Sequence, residues 1–157
     1  MNIYKGSRMD NWRTPSGLWI ELDDLYHFKL DLAADKTNAK CDNFFHPGNN
    51  SLDINWASWT LSPQWLNPPF SMATEFFQKA ADCHNKMVAI YKCSNLETAL
   101  WQDIILPNAD WVCFLRGRVN YENPDGTPSN QVPFGSALIG YNVPSLCNHL
   151  GRVWRIR

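Results

Sequence analysis

Gln64-Trp65-Leu66-Asn67-Pro68-Pro69-Phe70-Ser71 is the stretch from which the fold can be read. A short apolar strand runs into two prolines, and it has to stop there because neither proline nitrogen can donate to a sheet ladder. Ser71 stands where a helix cap is expected, and Ala73, Phe76, Phe77 and Ala80 recur behind it at helical spacing. A strand, a proline turn and an amphipathic helix in immediate succession make one βα unit of an α/β protein.

Further elements lie on both sides of this unit. Upstream, Thr14-Pro15 predicts a helix start, with Thr14 as cap and Pro15 at the first helical position, where its missing N–H costs nothing. Leu18, Leu22, Leu25 and Tyr26 carry that helix. Residues 28–32 alternate like a strand that ends in Asp31. Residues 33–50 are polar and rich in turn formers, with a further strand predicted at 43–45 and a short helix at 52–59. Downstream, the pattern predicts a buried strand at 87–91, a helix at 96–106 and a strand from Trp111 to Leu115 that extends towards Tyr121. Asn123-Pro124-Asp125-Gly126 is a turn. Closing strands follow at 136–141 and 153–156. The alternation predicts an α/β chain whose sheet is mixed, its last strands running antiparallel. At 157 residues this fits one domain, spanning 1–157, with one core and no separate target-recognition domain.

Composition narrows the function classes. Hydrophobic residues make up 45% and charged residues 18%, the balance of a globular chain, and no apolar run has the length of a membrane span. The net charge of −1 excludes a general basic coat, so any nucleic-acid contact must come from a local patch. Cys41, Cys83, Cys93, Cys113 and Cys147 are widely spaced and odd in number, without a CxxC pair. They form neither a zinc site nor a disulfide framework, and a reducing cytoplasm suits them. The four histidines are scattered and read as surface or core residues.

In an open α/β sheet, ligands bind beyond the carboxyl ends of the strands. Asp31 and Asn67 each follow a predicted strand, so both can line one crevice. The chemistry of Asn67-Pro68-Pro69-Phe70 suits a planar amine. The exocyclic N6 amine of adenine is a poor nucleophile because its lone pair is delocalised into the ring. Two acceptors, the Asn67 side-chain oxygen and the Pro68 carbonyl, can take its two hydrogens and draw the nitrogen towards tetrahedral geometry. Pro68 and Pro69 fix the backbone that aims that carbonyl. Phe70 offers a stacking face, and a base inside a duplex must be flipped out to reach it. Transfer of a methyl group from a sulfonium then needs positioning and electrostatics, and no metal.

The ordered set Asp10-x-Trp12-x-Thr14-Pro15, Leu30-Asp31-x-Ala33-Ala34, Asn38-Ala39-Lys40, Phe44-Phe45, Trp65-x-Asn67-Pro68-Pro69-Phe70-Ser71, Gly117-Arg118-Val119 and Phe134-Gly135-Ser136 resembles the phage-type Dam family of DNA N-6-adenine methyltransferases, over roughly residues 10–141. The resemblance implies a Rossmann-like S-adenosylmethionine-dependent domain that methylates adenine in DNA. It also implies a phage role in protecting DNA from restriction, in the cytoplasm of a bacterial host. By this resemblance, Asn67, Pro68, Pro69 and Phe70 hold the target base, and Asp31 holds the methionine amino group, directly or through water. Ala33 and Ala34 keep the adjoining loop thin. Trp12, Thr14 and Pro15 line the cofactor, with Phe45 and Asn55 as further candidates. Asn55 stands where related sequences often carry Asp, and a Gly-rich cofactor loop is absent.

Among the basic residues, Lys92 follows a predicted strand and faces the cleft on this reading. Arg116 and Arg118 flank Gly117, and both can reach phosphate. Ser94 and Asn95 add polar contacts to DNA. Sequence selection falls to the loop at 124–133, to a homodimer, or to neither if specificity is loose. Two other readings stay open. A glutamine-amide methyltransferase would also use Asn-Pro-Pro-aromatic on a planar amide, and a DNA-binding remnant would have lost its cofactor. Intact Asp31 and Asn67 speak against the remnant.

Overall fold

The computed structural model describes residues 12–46, 50–129 and 132–157. Asp10 of the N-terminal pattern, and Asn130 and Gln131 of the loop at 124–133, lie outside them. Six strands form one mixed sheet: β1 (Leu30–Asp31), β2 (Gln64–Leu66), β3 (Met87–Lys92), β4 (Trp111–Leu115), β5 (Ser136–Tyr141) and β6 (Gly151–Arg155), in the spatial order β1-β2-β3-β5-β4-β6. The first three are parallel. β5 inserts antiparallel between β3 and β4, and β6 closes the edge antiparallel to β4. This is the expected α/β architecture of a Rossmann-like methyltransferase, with antiparallel closing strands.

Both sheet faces are covered, so β3 up to Tyr91 and the whole of β5 are buried on both sides instead of alternating. On one face, Phe76 and Phe77 of α3 (Ala73–Cys83) pack with Trp56, Trp101, Val112 and Ile139. On the other, Leu22 and Tyr26 of α1 (Ser16–Tyr26) pack with Phe28, Trp65, Trp111 and Leu138. A short helix, α2 (Trp56–Trp59), precedes β2. Among the described residues, no helix is long and apolar enough to cross a membrane.

Several expected boundaries shift, each for a physical reason. α1 begins at Ser16, with Pro15 at the cap position in extended conformation. The Thr14 hydroxyl is engaged by Asn67, and the helix end is instead capped from afar, Ser16 N–H donating to Glu122 Oε1 at 3.0 Å. The strand at 28–32 pairs only over Leu30–Asp31, and the one at 43–45 shrinks to a bridge between Asp31 and Phe44. The helix at 52–59 splits into a 3₁₀ turn (Ser51–Asp53) and α2, because Asn55 is extended and caps Ala57 N–H. Ser71 does not occupy the cap position. It lies inside a 3₁₀ turn (Phe70–Met72) that leads into α3.

The helix predicted at 96–106 is π-helical over Leu100–Ile105 and ends in α4 (Leu106–Asn108). Leu106 N–H reaches back to the Trp101 carbonyl, one residue further than in an α-helix. The wider turn takes in Pro107, whose ring would clash with the carbonyl four residues earlier in regular α geometry. β4 stops at Leu115 without reaching Tyr121, where Gly117 turns the chain with φ of +71°. The last strand starts earlier than expected, at Gly151.

Candidate active site

β1 and β2 are adjacent and parallel, with Asp31 opposite Trp65. Asn67 follows the last residue of β2, so Asp31 and Asn67 stand at the carboxyl ends of neighbouring strands, as the alternation of elements led us to expect.

Asn67 is half-buried, and its side chain has a defined orientation. Nδ2 donates to the Trp12 carbonyl at 3.2 Å and to the Thr14 hydroxyl at 3.2 Å. A backbone carbonyl can only accept, so the atom facing Trp12 must be nitrogen. The side-chain oxygen is thereby turned away from both partners. Pro68 and Pro69, both buried, follow directly. The segment that orients Asn67 is itself clamped: Arg13 and Glu122 exchange both backbone hydrogen bonds, at 3.0 and 2.9 Å.

Phe70 sits among aromatic edges. Trp12, Tyr91 and Phe134 approach it at centroid distances of 5.9, 5.3 and 5.5 Å, all edge-on. Lys92 Nζ lies 5.1 Å from the centre of the same ring, a cation–π contact that brings Lys92 to the motif. Trp12 also stacks on Tyr121.

Asp31 is buried, and its carboxylate shapes the loop that follows: Oδ1 accepts from Ala33 N–H at 3.2 Å and Oδ2 from Lys40 N–H at 3.0 Å. Burial pushes its pKa up to about 6 from 3.8, although those two N–H bonds and the Lys40 charge pull the other way. Among the described residues, no cation lies within 4.0 Å of it. A buried carboxylate that lacks a cation at contact distance suits an ammonium group. Ala34 is buried and donates to the Phe45 carbonyl, which holds the loop against residue 45.

The remaining candidates divide. Trp12 and Thr14 hold Asn67, Trp12 and Lys92 pack on Phe70 three residues on, and Ala33, Ala34 and Phe45 gather around Asp31. Pro15 lies at the start of α1. Asn55 is exposed, with its oxygen on Ala57 N–H at 3.1 Å. Ser94 and Asn95 are exposed in the turn after β3, where the Asn95 carbonyl accepts from Thr98. Arg116 is exposed beyond β4, and Arg118 Nη1 donates to the Val132 carbonyl at 2.7 Å, so part of its fork ties down the loop before β5.

Sequence reasoning missed Glu122 as a contributor and assigned Thr14 a different task. Glu122 caps α1 and clamps Arg13, and Thr14 anchors the Asn67 amide. Glu122 gave no local signal because its partners are over 100 residues away in the chain. Thr14 did signal, as part of Thr-Pro, but its hydroxyl serves Asn67 and leaves the helix end to Glu122.

Comparison with known proteins agrees with this geometry. A family model described as DNA N-6-adenine-methyltransferase (Dam) matches residues 2–140. The DNA N-6-adenine-methyltransferase of Haemophilus phage HP1 is 28% identical, over 82% of this chain and 78% of its own length. The protein of the same name from Escherichia phage T1 is 31% identical, over 91% of this chain and 65% of its own length. With the family match covering nearly the whole chain, and with Asn-Pro-Pro-Phe at the carboxyl end of β2 beside the Asp31 strand end, this protein belongs to the Dam family of DNA N-6-adenine methyltransferases.

Proposed function

We propose that this chain transfers a methyl group from S-adenosylmethionine to the N6 amine of a flipped adenine in DNA, within one domain and in the cytoplasm of a bacterial host. The observation that carries the reading is the fixed orientation of Asn67. With Nδ2 committed to Trp12 and Thr14, the side-chain oxygen is the atom available to an incoming amine. The Pro68 carbonyl is the second acceptor, and between them the two take both hydrogens of N6. The nitrogen lone pair is then withdrawn from the ring and aimed at the methyl carbon. The cofactor supplies that methyl as part of a sulfonium, whose positive charge makes it a good leaving group. Asp31 receives the methionine ammonium, and the Ala33–Ala34 loop that it organises borders the same position. Phe70 and Lys92 provide a flat face and a cation at the mouth. The N–C bond forms as the methyl–sulfur bond breaks, leaving a neutral thioether and a positively charged N6, whose extra proton passes to solvent because neither Asn67 nor the Pro68 carbonyl is basic enough to take it.

Incubation with methyl-labelled S-adenosylmethionine and unmethylated DNA, followed by nucleoside mass spectrometry, tests the reading. N6-methyladenine is the expected product. Label in protein glutamine with none in DNA would overturn it.

Thr14 acts here as a positioning residue. Thr14→Val keeps the volume and removes one of the two acceptors that hold Asn67, while the Trp12 carbonyl remains. Turnover should fall by about fivefold with little change in KM, since roughly 1 kcal/mol of orientation is lost. Thr14→Ser should restore it. Equal turnover in the Val and Ser variants would remove Thr14 from this role.

Arg118 is expected to act on stability more than on phosphate. Arg118→Ala loses the bond to the Val132 carbonyl, and about 1 kcal/mol corresponds to a fall in melting temperature of roughly 2–4 °C for a chain of this size. The slope of log affinity against log salt should stay the same. A slope flatter by about one unit would return Arg118 to the DNA contacts.

A further inference from the structure

Cations line up along one rim of the sheet. Lys92 ends β3, Arg116 follows β4, and Arg152 opens β6 opposite the carboxyl end of β4. β4 runs in the direction of β3, and β5 and β6 run opposite to both, so the carboxyl ends of β3 and β4 and the start of β6 share the end of the sheet at which Asn67 stands. The register also fixes which face they occupy. Phe114 pairs with Arg152 and Val112 with Trp154, and residues directly opposite project to the same side. Arg116 N–H extends the ladder to the Leu150 carbonyl at 3.0 Å, which puts Arg116, two residues past Phe114, on that side as well. Val112 and Phe114 belong to the core under α3, so Arg116, Arg152 and Trp154 form the outer margin of that face.

This margin is charged and uncovered. Trp154 is 63% exposed although it lies in a regular strand, and Arg116 and Arg152 are both exposed. Neither arginine has a carboxylate within 4.0 Å among the described residues. Arg157, by contrast, pairs with Asp110 at 3.6 Å, at the far end of β4. The carboxylates of the loop after β4 are engaged internally, Glu122 by Ser16 and Asp125 by Thr127. In a chain of net charge −1, two arginines without carboxylate partners beside an exposed indole are the composition of a surface that meets phosphate and sugar.

We propose that this β4–β6 margin is a second DNA-contact surface, in which Arg116 and Arg152 bind backbone phosphates and Trp154 packs against a deoxyribose. The proposal rests on the methyltransferase reading above and specifies how the enzyme grips flanking duplex. β6 is four strands from β2, so Arg152 stands about 19 Å from the Asn67 position across the sheet. At 3.4 Å per base pair, that corresponds to a phosphate about six base pairs from the target adenine.

The test uses fluorescence anisotropy with the full-length protein on two duplexes carrying the same central site, one with about 12 flanking base pairs on each side and one with about three. On the long duplex, Arg152→Ala should weaken binding about fivefold to tenfold near 0.1 M salt and reduce the salt slope by about 0.9, the share of one phosphate. On the short duplex, wild type and variant should bind alike. Trp154→Ala should weaken only the long complex and leave the salt slope unchanged. Equal losses on both duplexes, or none on either, would overturn the proposal. So would a change in sedimentation of the free protein from dimer to monomer in these variants, which would assign the surface to a second copy of the chain. Methylation of the long duplex by wild type, measured in parallel, separates the two readings: wild type that leaves adenine unmodified sinks the activity, whereas active wild type with an indifferent Arg152→Ala sinks only the margin.

Discussion

Replacing Asn67 by alanine should lower turnover by about 10²-fold or more while cofactor affinity stays within about twofold of wild type. The side-chain oxygen touches the amine only as it becomes a nucleophile, so its loss weighs on the transition state more than on the bound substrate. The substitution also strips the Trp12 carbonyl and the buried Thr14 hydroxyl of their donor, which costs about 1–3 kcal/mol of stability. Thermal melting and titration calorimetry with S-adenosylmethionine separate the two effects. A folded variant that binds cofactor and turns over near the wild-type rate would remove Asn67 from the chemistry.

Asp31 should make cofactor affinity pH-dependent on the acid side. Its folded pKa is about 6 and its ordinary value 3.8, so between these limits the native state holds the proton more tightly than the unfolded chain does. Stability of the cofactor-free protein therefore falls as pH rises through that window, and above it the buried charge costs about 3 kcal/mol. An arriving ammonium pairs with the ionised form. Affinity should be level above about pH 7 and decline as pH falls through 6. Asp31→Asn should remove that dependence and weaken binding by roughly 1.5–3 kcal/mol. Because Asn can satisfy only one of the Ala33 and Lys40 N–H groups by acceptance, the variant should also melt lower. The wild-type pH profile keeps the test independent of that loss: affinity unchanged from pH 5 to 8 would exclude Asp31 as the ammonium's partner.

What could be read from the sequence was what is local. The β2–proline–α3 unit follows from residues within 20 positions of one another, since two prolines must end a strand and an apolar stripe must bury itself. Contacts whose partners are distant in the chain were not legible. Glu122 replaces the expected Thr14 cap across more than 100 residues, and nothing in either local pattern announces the other. The π-helical segment was hidden for a different reason. Its apolar spacing over 96–106 reads as an ordinary helix, and only Pro107, beyond that window, carries the strain that widens it. At the site, the motif disclosed which side chain would act. Its orientation depends on Trp12 and Thr14, more than 50 residues upstream.

The pairing of Asn67 with Pro68 also bears on chemical ageing. Asparagine commonly decays when the next backbone nitrogen attacks the side-chain amide, closes a succinimide and opens to aspartate. The Pro68 nitrogen carries no hydrogen and cannot close that ring. The competing route, attack by Nδ2 on the residue's own carbonyl with chain scission, needs a mobile amide, and Nδ2 is held by Trp12 and Thr14. The group on which the proposed chemistry depends is thus shielded from both intramolecular routes of asparagine decay.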